Sequence, residues 1–200
     1  MKEQDSGDLW VFGYGSLMWR PGFDYLERRA GLVRGYHRSL CVYSFHHRGT
    51  PQRPGLVMGL DRGGSCRGAA FRVPAERRAE TIAYLREREQ VTSVYLERFA
   101  PVALDNGHVT PALVYVVNRD HEQYAGRLDI DEVVAIVRRG HGVSGHNPDY
   151  VRNTLAHLHA MGVRDAWLEE VVRRLDGQED PEQEAHNEAH NAPASAERVA

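Results

Sequence analysis

Leu9-Trp10-Val11-Phe12-Gly13-Tyr14-Gly15-Ser16-Leu17-Met18-Trp19 is the stretch on which the reading of this chain turns. It opens as an apolar run of strand formers, the pattern of a buried strand. It then meets two glycines flanking a tyrosine, followed by a serine. Gly13 and Gly15 carry no Cβ, so they permit positive φ and let another group come close to the backbone. A strand ending in such a turn can aim several peptide N–H groups at one point and cradle a carboxylate or an oxyanion. The same letters also describe a core strand entering an ordinary tight turn, and residue types alone leave the two readings level. A dinucleotide fingerprint is excluded: Gly13 and Gly15 fit the first two glycines of G-x-G-x-x-G, but Met18 stands where the third belongs.

Working outward, 200 residues suit one domain with a full core and some surplus chain. A formal net charge of −3 gives the whole protein no electrostatic reason to bind nucleic acid. Cys41 and Cys66 are too few for a disulfide framework and have no metal-binding partners nearby, so they read as reduced thiols of a cytoplasmic protein. The first eight residues are polar and lack the apolar segment of a signal peptide. No run is long enough to cross a membrane.

Gly31 to Ser44 reads as one or two half-buried strands. Phe45 to Gly55 is basic and broken by Pro and Gly, a loop that is either solvated or substrate-facing. Its adjacent His46 and His47 would point to opposite faces of an extended chain and make a poor chelate. Leu56 to Leu60 and Cys66 to Val73 read as two strands joined by a turn at Asp61-Arg62-Gly63-Gly64-Ser65. Pro74 opens a helix over Ala75 to Glu89. Thr92 to Leu104 and Val109 to Val117 are strands around Asp105-Asn106-Gly107, a hairpin signal. Asp129 with Glu132 forms a capping box for a helix ending at Gly140. Asn147-Pro148 reads as N-cap and first residue of a helix to Met161, and Asp165 caps a last helix to about Leu175. From Gly177 onward almost nothing is apolar, so 177–200 is expected to be a disordered acidic tail, and 1–8 a flexible start. Strands first and helices last imply an α+β domain over 9–176. Its small mixed or mostly antiparallel sheet would curl into a barrel flanked by helices.

One carboxylate stands out. On the helix before Thr92, the 100° step puts Glu89 on the stripe of Ile82 and Leu85, while Glu80 and Glu87 point away and Glu76 lies off to the side. A carboxyl on an apolar face must be paired or protonated, and desolvation would make it a base usable near neutral pH. The alternative is that Glu89 reaches solvent or pairs with Arg86 or Arg88.

Four segments in order resemble the γ-glutamylcyclotransferases, specifically their glutathione-directed ChaC-like branch. They are Val11-Phe12-Gly13-Tyr14-Gly15-Ser16-Leu17; His47-Arg48-Gly49-Thr50-Pro51 with Pro54-Gly55; Tyr84-Leu85-Arg86-Glu87-Arg88-Glu89; and Ser144-Gly145-His146-Asn147 with Tyr150. Gln90-Val91 depart from the branch, which commonly has a Gly-containing turn there, and both ends of the chain fall outside the match. The resemblance implies a cofactor-free and metal-free reaction on a small-molecule substrate. In it the α-amino group of a γ-glutamyl moiety attacks its own γ-carbonyl, closing 5-oxoproline and expelling an amine, Cys-Gly in the case of glutathione. It implies Glu89 as general base and acid, and the Val11–Leu17 segment, through its peptide N–H groups, as the γ-glutamyl holder. Arg48 and Tyr150 become contacts to a substrate carboxylate or the Cys-Gly end. Two alternatives stay open: a cyclotransferase for other γ-glutamyl amines or amino acids, and a non-catalytic γ-glutamyl-binding module. Nothing in the sequence sets an oligomeric state.

Overall fold

The computed structural model describes residues 7–89 and 92–177. The Gln90-Val91 departure, nearly all of the anticipated tail and residues 1–6 lie outside the described residues. Asp8, expected to belong to a flexible start, is tied down: its carboxylate accepts from the Ala75 N–H at 3.1 Å and pairs with Arg72 at 3.3 Å.

Five strands close on themselves. β1 (Leu9–Gly13), β2 (Glu27–Ser44), β3 (Gly55–Val73), β4 (Tyr95–Leu104) and β5 (Val109–Val117) form a barrel in the order β1-β3-β2-β4-β5. Every neighbouring pair is antiparallel except β1 and β5, which run parallel and close the ring at Trp10↔Ala112 and Val11↔Leu113. The ring closes, although β2 meets β4 only at Gly31–Val33, so parts of the long strands are left to find other partners. The helices are α1 (Arg78–Glu89, entered through a 3-10 turn at Ala75–Arg77), α2 (Ile130–Arg139), α3 (Asn147–Ala160) and α4 (Ala166–Gly177). The curled mixed sheet with flanking helices expected from the residue pattern is the observed architecture.

The joint expected at Asp61–Ser65 is not there. β3 runs unbroken through it, because β2 is long enough to pair with it along almost its whole length. Arg34 pairs with Ser65 and Tyr36 with Arg62, so Gly63-Gly64 face Gly35 across a bulge. All three glycines have positive φ, at 99°, 69° and 82°. The turn-like dihedrals are real, but they bend a ladder instead of ending it.

The capping box is as read: Asp129 accepts from the Glu132 N–H, and the Glu132 side chain accepts from the Asp129 N–H. Asp165 likewise accepts from the Leu168 N–H at 3.1 Å. Asn147 does something else. His146 is the N-cap of α3, and Asn147 is its first residue. The fully buried Asn147 amide instead grips β3, accepting from Leu56 N–H at 2.6 Å and donating to Leu56 C=O at 2.8 Å. A primary amide can replace a missing strand neighbour in this way, satisfying one donor and one acceptor together.

Val133, Val137, Val151, Leu155, Leu158, Leu168 and Val171 of α2–α4 share one apolar cluster with Phe12, Leu40, Leu60, Phe71 and Val114 of the barrel. Leu85 of α1 packs into a second cluster with Leu9, Val11, Leu17 and Tyr115. Among the described residues no helix is long and apolar enough to cross a membrane.

Asn147→Ala leaves both Leu56 backbone groups buried and unpaired, at about 1–3 kcal/mol each. Urea denaturation is expected to show a lower midpoint with an unchanged m-value, and Asn147→Asp, which sets a buried carboxylate against the Leu56 carbonyl, at least as large a loss at neutral pH.

Candidate active site

Where β1 leaves the barrel, the chain turns along the rim of a cavity of ≈ 380 Å³. Tyr14 is pinned at both ends: its hydroxyl donates to Tyr115 C=O at 2.8 Å, and its carbonyl accepts from Arg38 Nε at 2.6 Å. A 3-10 turn at Ser16–Met18 follows, closed by Met18 N–H donating to Gly15 C=O at 2.9 Å. The N–H groups of Gly15, Ser16 and Leu17 donate to no acceptor among the described residues. The close-approach reading of Gly15 holds: a Cβ there would lie 3.3 Å from the Tyr150 hydroxyl. The positive-φ reading does not, since Gly15 sits at φ −127° and Gly13 is not left-handed either. Tyr14, Gly15, Ser16 and Leu17 line the cavity, whereas Val11, Phe12 and Gly13 do not. The peptide groups of those three belong to the β1–β3 ladder, and the side chains of Val11 and Phe12 are fully buried in the two clusters. Of the Val11–Leu17 segment anticipated as a cradle, Tyr14 to Leu17 border the cavity.

α1 brings Glu89 to the same cavity. The helical-face argument holds: Leu85 is fully buried, Glu76, Glu80 and Glu87 are exposed, and the Glu89 side chain is only 17 % exposed. One element of the alternative is realised too, because Arg88 Nε lies 3.1 Å from Glu89 Oε1. Arg86 is engaged elsewhere, forked onto Glu97 with both contacts at 2.8 Å. Burial pushes the Glu89 carboxyl above the ordinary range, and Arg88 pulls in the opposite direction without cancelling it. Arg88 also donates to Arg20 C=O at 2.6 Å, Pro21 C=O at 3.1 Å, Tyr84 Oη at 3.1 Å and Ser16 Oγ at 3.1 Å. It thereby locks the glycine turn to the helix that carries Glu89.

The loop before β3 forms another wall. Phe45, His46, His47 and Arg48 of this loop line the cavity. A two-residue hairpin, β6 (His141–Gly142) with β7 (Gly145–His146), docks against it: Val143 and Ser144 N–H groups donate to His46 and His47 carbonyls, each at 3.0 Å. Arg48 donates to His146 C=O at 3.0 Å and lies 5.4 Å from the centre of the Tyr150 ring. The Tyr150 hydroxyl accepts from Met58 N–H at 3.0 Å, and Tyr95 donates its own to Met58 C=O at 2.8 Å. Burial holds the Tyr150 phenol up at about 12 and those of Tyr14 and Tyr95 well above their usual value, so all three are neutral at physiological pH.

Arg20, Arg48 and Arg88 line the cavity against one carboxylate, Glu89. A chain of net negative charge thus keeps a locally cationic pocket, suited to an anionic small molecule. Partial desolvation, with His46, Arg48 and Arg88 adding to it, pushes His47 below its ordinary value. A desolvated carboxyl group, spare peptide donors and a shielded apolar wall can move a proton and hold an acyl group at one place. Tyr95, Met58 and Arg38 were not found from the sequence. Tyr95 and Met58 sit in strands whose pattern shows burial but not which face meets the cavity, and Arg38 looks like any polar position of a half-buried strand.

A sequence model of the ChaC-like protein family matches residues 9–178. The chain is 31% identical over 168 residues to the glutathione-specific γ-glutamylcyclotransferase of Escherichia coli K12, covering 84% of this chain and 73% of that protein. It is 35% identical over 174 residues to the human glutathione-specific γ-glutamylcyclotransferase 1, covering 84% and 78%. A crystal structure of a yeast γ-glutamyl cyclotransferase specific to glutathione superposes with a TM-score of 0.79 at 24% identity, over 86% of this chain and 96% of that one, which shows a common fold.

The raised Glu89 carboxyl has a stability consequence. The folded state binds this proton more tightly than the unfolded chain does. Its favourable contribution is therefore complete below about pH 4.5, the ordinary glutamate value, and is lost as pH rises through the higher folded value. Glu89→Gln, a mimic of the protonated form, is expected to melt above the wild type at pH 8, by about 2–4 °C per kcal/mol relieved. The gap should close near pH 4 when thermal melts are compared across pH.

Proposed function

The chain belongs to the ChaC-like family, and from that premise we propose that it is a glutathione-directed γ-glutamylcyclotransferase, converting glutathione to 5-oxoproline and Cys-Gly. The observation that carries the reading is the buried, proton-retentive Glu89 carboxyl lining one cavity with the Gly15–Leu17 turn.

The nucleophile is part of the substrate, so the protein needs no serine or cysteine for attack. Its task is to curl a γ-glutamyl chain until its amino nitrogen meets its own γ-carbonyl carbon, and to move protons as it does so. The α-amino group arrives as an ammonium. Glu89, in its ionised form, takes a proton from it, the free amine adds to the γ-carbonyl, and the tetrahedral carbon carries an oxyanion. The spare N–H groups of Gly15, Ser16 and Leu17 are the donors best suited to the γ-glutamyl part and to that charge. Collapse breaks the bond to the cysteinyl nitrogen as Glu89 returns its proton to the leaving amine. The ring nitrogen then gives its second proton to the re-ionised Glu89, which passes it to the departing amine so that it leaves as an ammonium, and the ring keeps one hydrogen as the lactam N–H. A carboxyl with a raised proton affinity suits both halves of this cycle, accepting readily and still donating.

Tyr150 and Arg48 join as substrate contacts in this reading. The Tyr150 hydroxyl already accepts a hydrogen bond from Met58, so its own proton remains to be given. Cytoplasmic location is part of the same proposal, supported by two buried cysteines that remain free thiols.

Purified protein incubated with glutathione is expected to release 5-oxoproline, followed by chromatography. Glu89→Gln should lower kcat by about 10²–10⁴-fold or more, and Glu87→Gln, exposed one residue pair away, should stay within about twofold of wild type. Equal loss in both would remove Glu89 as the proton carrier. The acidic limb of kcat/KM should lie above the ordinary glutamate value, because only ionised Glu89 can accept a proton. Arg88→Met, which deletes the opposing cation, should move that limb to still higher pH.

A further inference from the structure

Of the three arginines lining the cavity, two are already engaged. Arg88 is held by four oxygen acceptors and by Glu89, and Arg48 by His146 C=O and the Tyr150 ring. Arg20 differs. Its main chain is fixed at both ends, its N–H donating to Ser16 C=O at 2.9 Å and its carbonyl accepting from Arg88 at 2.6 Å. Its side chain is exposed, borders the cavity and makes no hydrogen bond or ion pair among the described residues. Resting on the function proposed above, we infer that Arg20 is a specificity residue, receiving the carboxylate at the far, glycine end of the substrate.

Depth in the cavity assigns the ends. Tyr14 and Tyr150 are each 6 % exposed and the Arg88 and Glu89 side chains 19 % and 17 %, whereas Arg20 is exposed. Ring closure belongs there, where water is scarce and the base is desolvated. The γ-glutamyl part therefore enters first, and the dipeptide trails towards the mouth. Two extended residues span about 7 Å beyond the scissile nitrogen, which carries the terminal carboxylate from the level of Glu89 out towards the rim. There it meets a cation with a rigid backbone and an uncommitted fork of donors, the group best matched to a carboxylate. Arg48 borders the same cavity: burial pulls its guanidinium below the ordinary value, Tyr150 and Asp149 oppose that and Arg20 adds to it, and the one carboxylate of the lining is claimed by Arg88. Two cations on one cavity lining, whose one carboxylate is taken by a third arginine, attract an anion.

The experiment pairs a change in the protein with a change in the substrate. Kinetics of 5-oxoproline release are measured for glutathione and for its C-terminal glycinamide, in wild type, Arg20→Gln and Arg20→Lys. Wild type is expected to prefer glutathione over the amide by about tenfold or more in kcat/KM. In Arg20→Gln that preference should collapse to about twofold or less, with the change falling on KM for glutathione, and Arg20→Lys should restore part of it. A preference that survives in Arg20→Gln overturns the assignment, as does an equal loss on both substrates, which would mark a purely structural role. Absence of 5-oxoproline from glutathione and from the amide alike with wild-type protein overturns the proposed function itself, a result distinct from a preference that survives the substitution.

Discussion

A carboxylate drawn out of water must be neutralised by a partner or by a proton, and Glu89 is held between those two outcomes. Full exposure would make it a weak base of ordinary affinity. A dedicated, bidentate arginine would make it weaker still by holding the ionised form too firmly. Arg88 instead reaches it from Nε at 3.1 Å, while its NH1 and NH2 groups donate to Arg20, Pro21, Tyr84 and Ser16. The cation is fixed by the loop it supports, so it cannot swing round to complete a fork. The net effect is a carboxyl whose affinity stays raised, and the cost of that burial is carried by the packing of Leu85 and its neighbours in the second apolar cluster.

The same arginine explains why the turn and the helix act as one unit. Gly15–Leu17 and Glu89 are more than seventy residues apart in sequence, and the Arg88–Ser16 hydrogen bond spans that distance at 3.1 Å. On the opposite wall, backbone contact does the corresponding work. A Cβ on Gly55 would lie 2.2 Å from Arg48 C=O, and one on Gly142 2.3 Å from His46 C=O. Glycine is required there for close approach, not for unusual dihedrals, since neither position has positive φ. The docked hairpin and the buried Asn147 amide then carry α3, and with it Tyr150, to β3.

How much of this could be read in advance follows from the range of each interaction. The Asp129–Glu132 capping box, the Asp165 cap and the inward set of Glu89 all depend on residues within one or two helical turns, and local spacing suffices for them. The Gly63-Gly64 bulge and the role of Asn147 depend on a strand and a helix far away in sequence. An Asn-Pro pair looks like a helix start because that is its commonest local use; here a missing strand neighbour on β3 claims the side chain instead. Val11 to Gly13 were read with the turn because the sequence does not mark where the ladder stops, and pairing to Ala69, Ala70 and Phe71 extends it through Gly13. Arg38 illustrates the limit: nothing around it in sequence says that its guanidinium will reach the Tyr14 and Arg67 carbonyls, at 2.6 Å each.

The three buried tyrosines divide their labour by hydrogen-bond direction. Tyr14 and Tyr95 give their protons to the carbonyls of Tyr115 and Met58. Each therefore offers a ligand only lone pairs and a ring face. Tyr150 is turned the other way, accepting from Met58 N–H. Met58 thus supplies both of its backbone groups to the cavity wall, its donor to one phenol and its acceptor to another. Since all three phenols stay protonated, the difference in direction is a difference in what each can offer: of the three, Tyr150 alone has a hydrogen to present to an anionic or carbonyl oxygen. A cavity built this way has one polarity. Donors collect from the Gly15–Leu17 turn, Tyr150 and the arginines, while proton-accepting capacity concentrates in Glu89. That asymmetry matches a reaction in which one nitrogen must lose protons while every oxygen around it gathers negative charge.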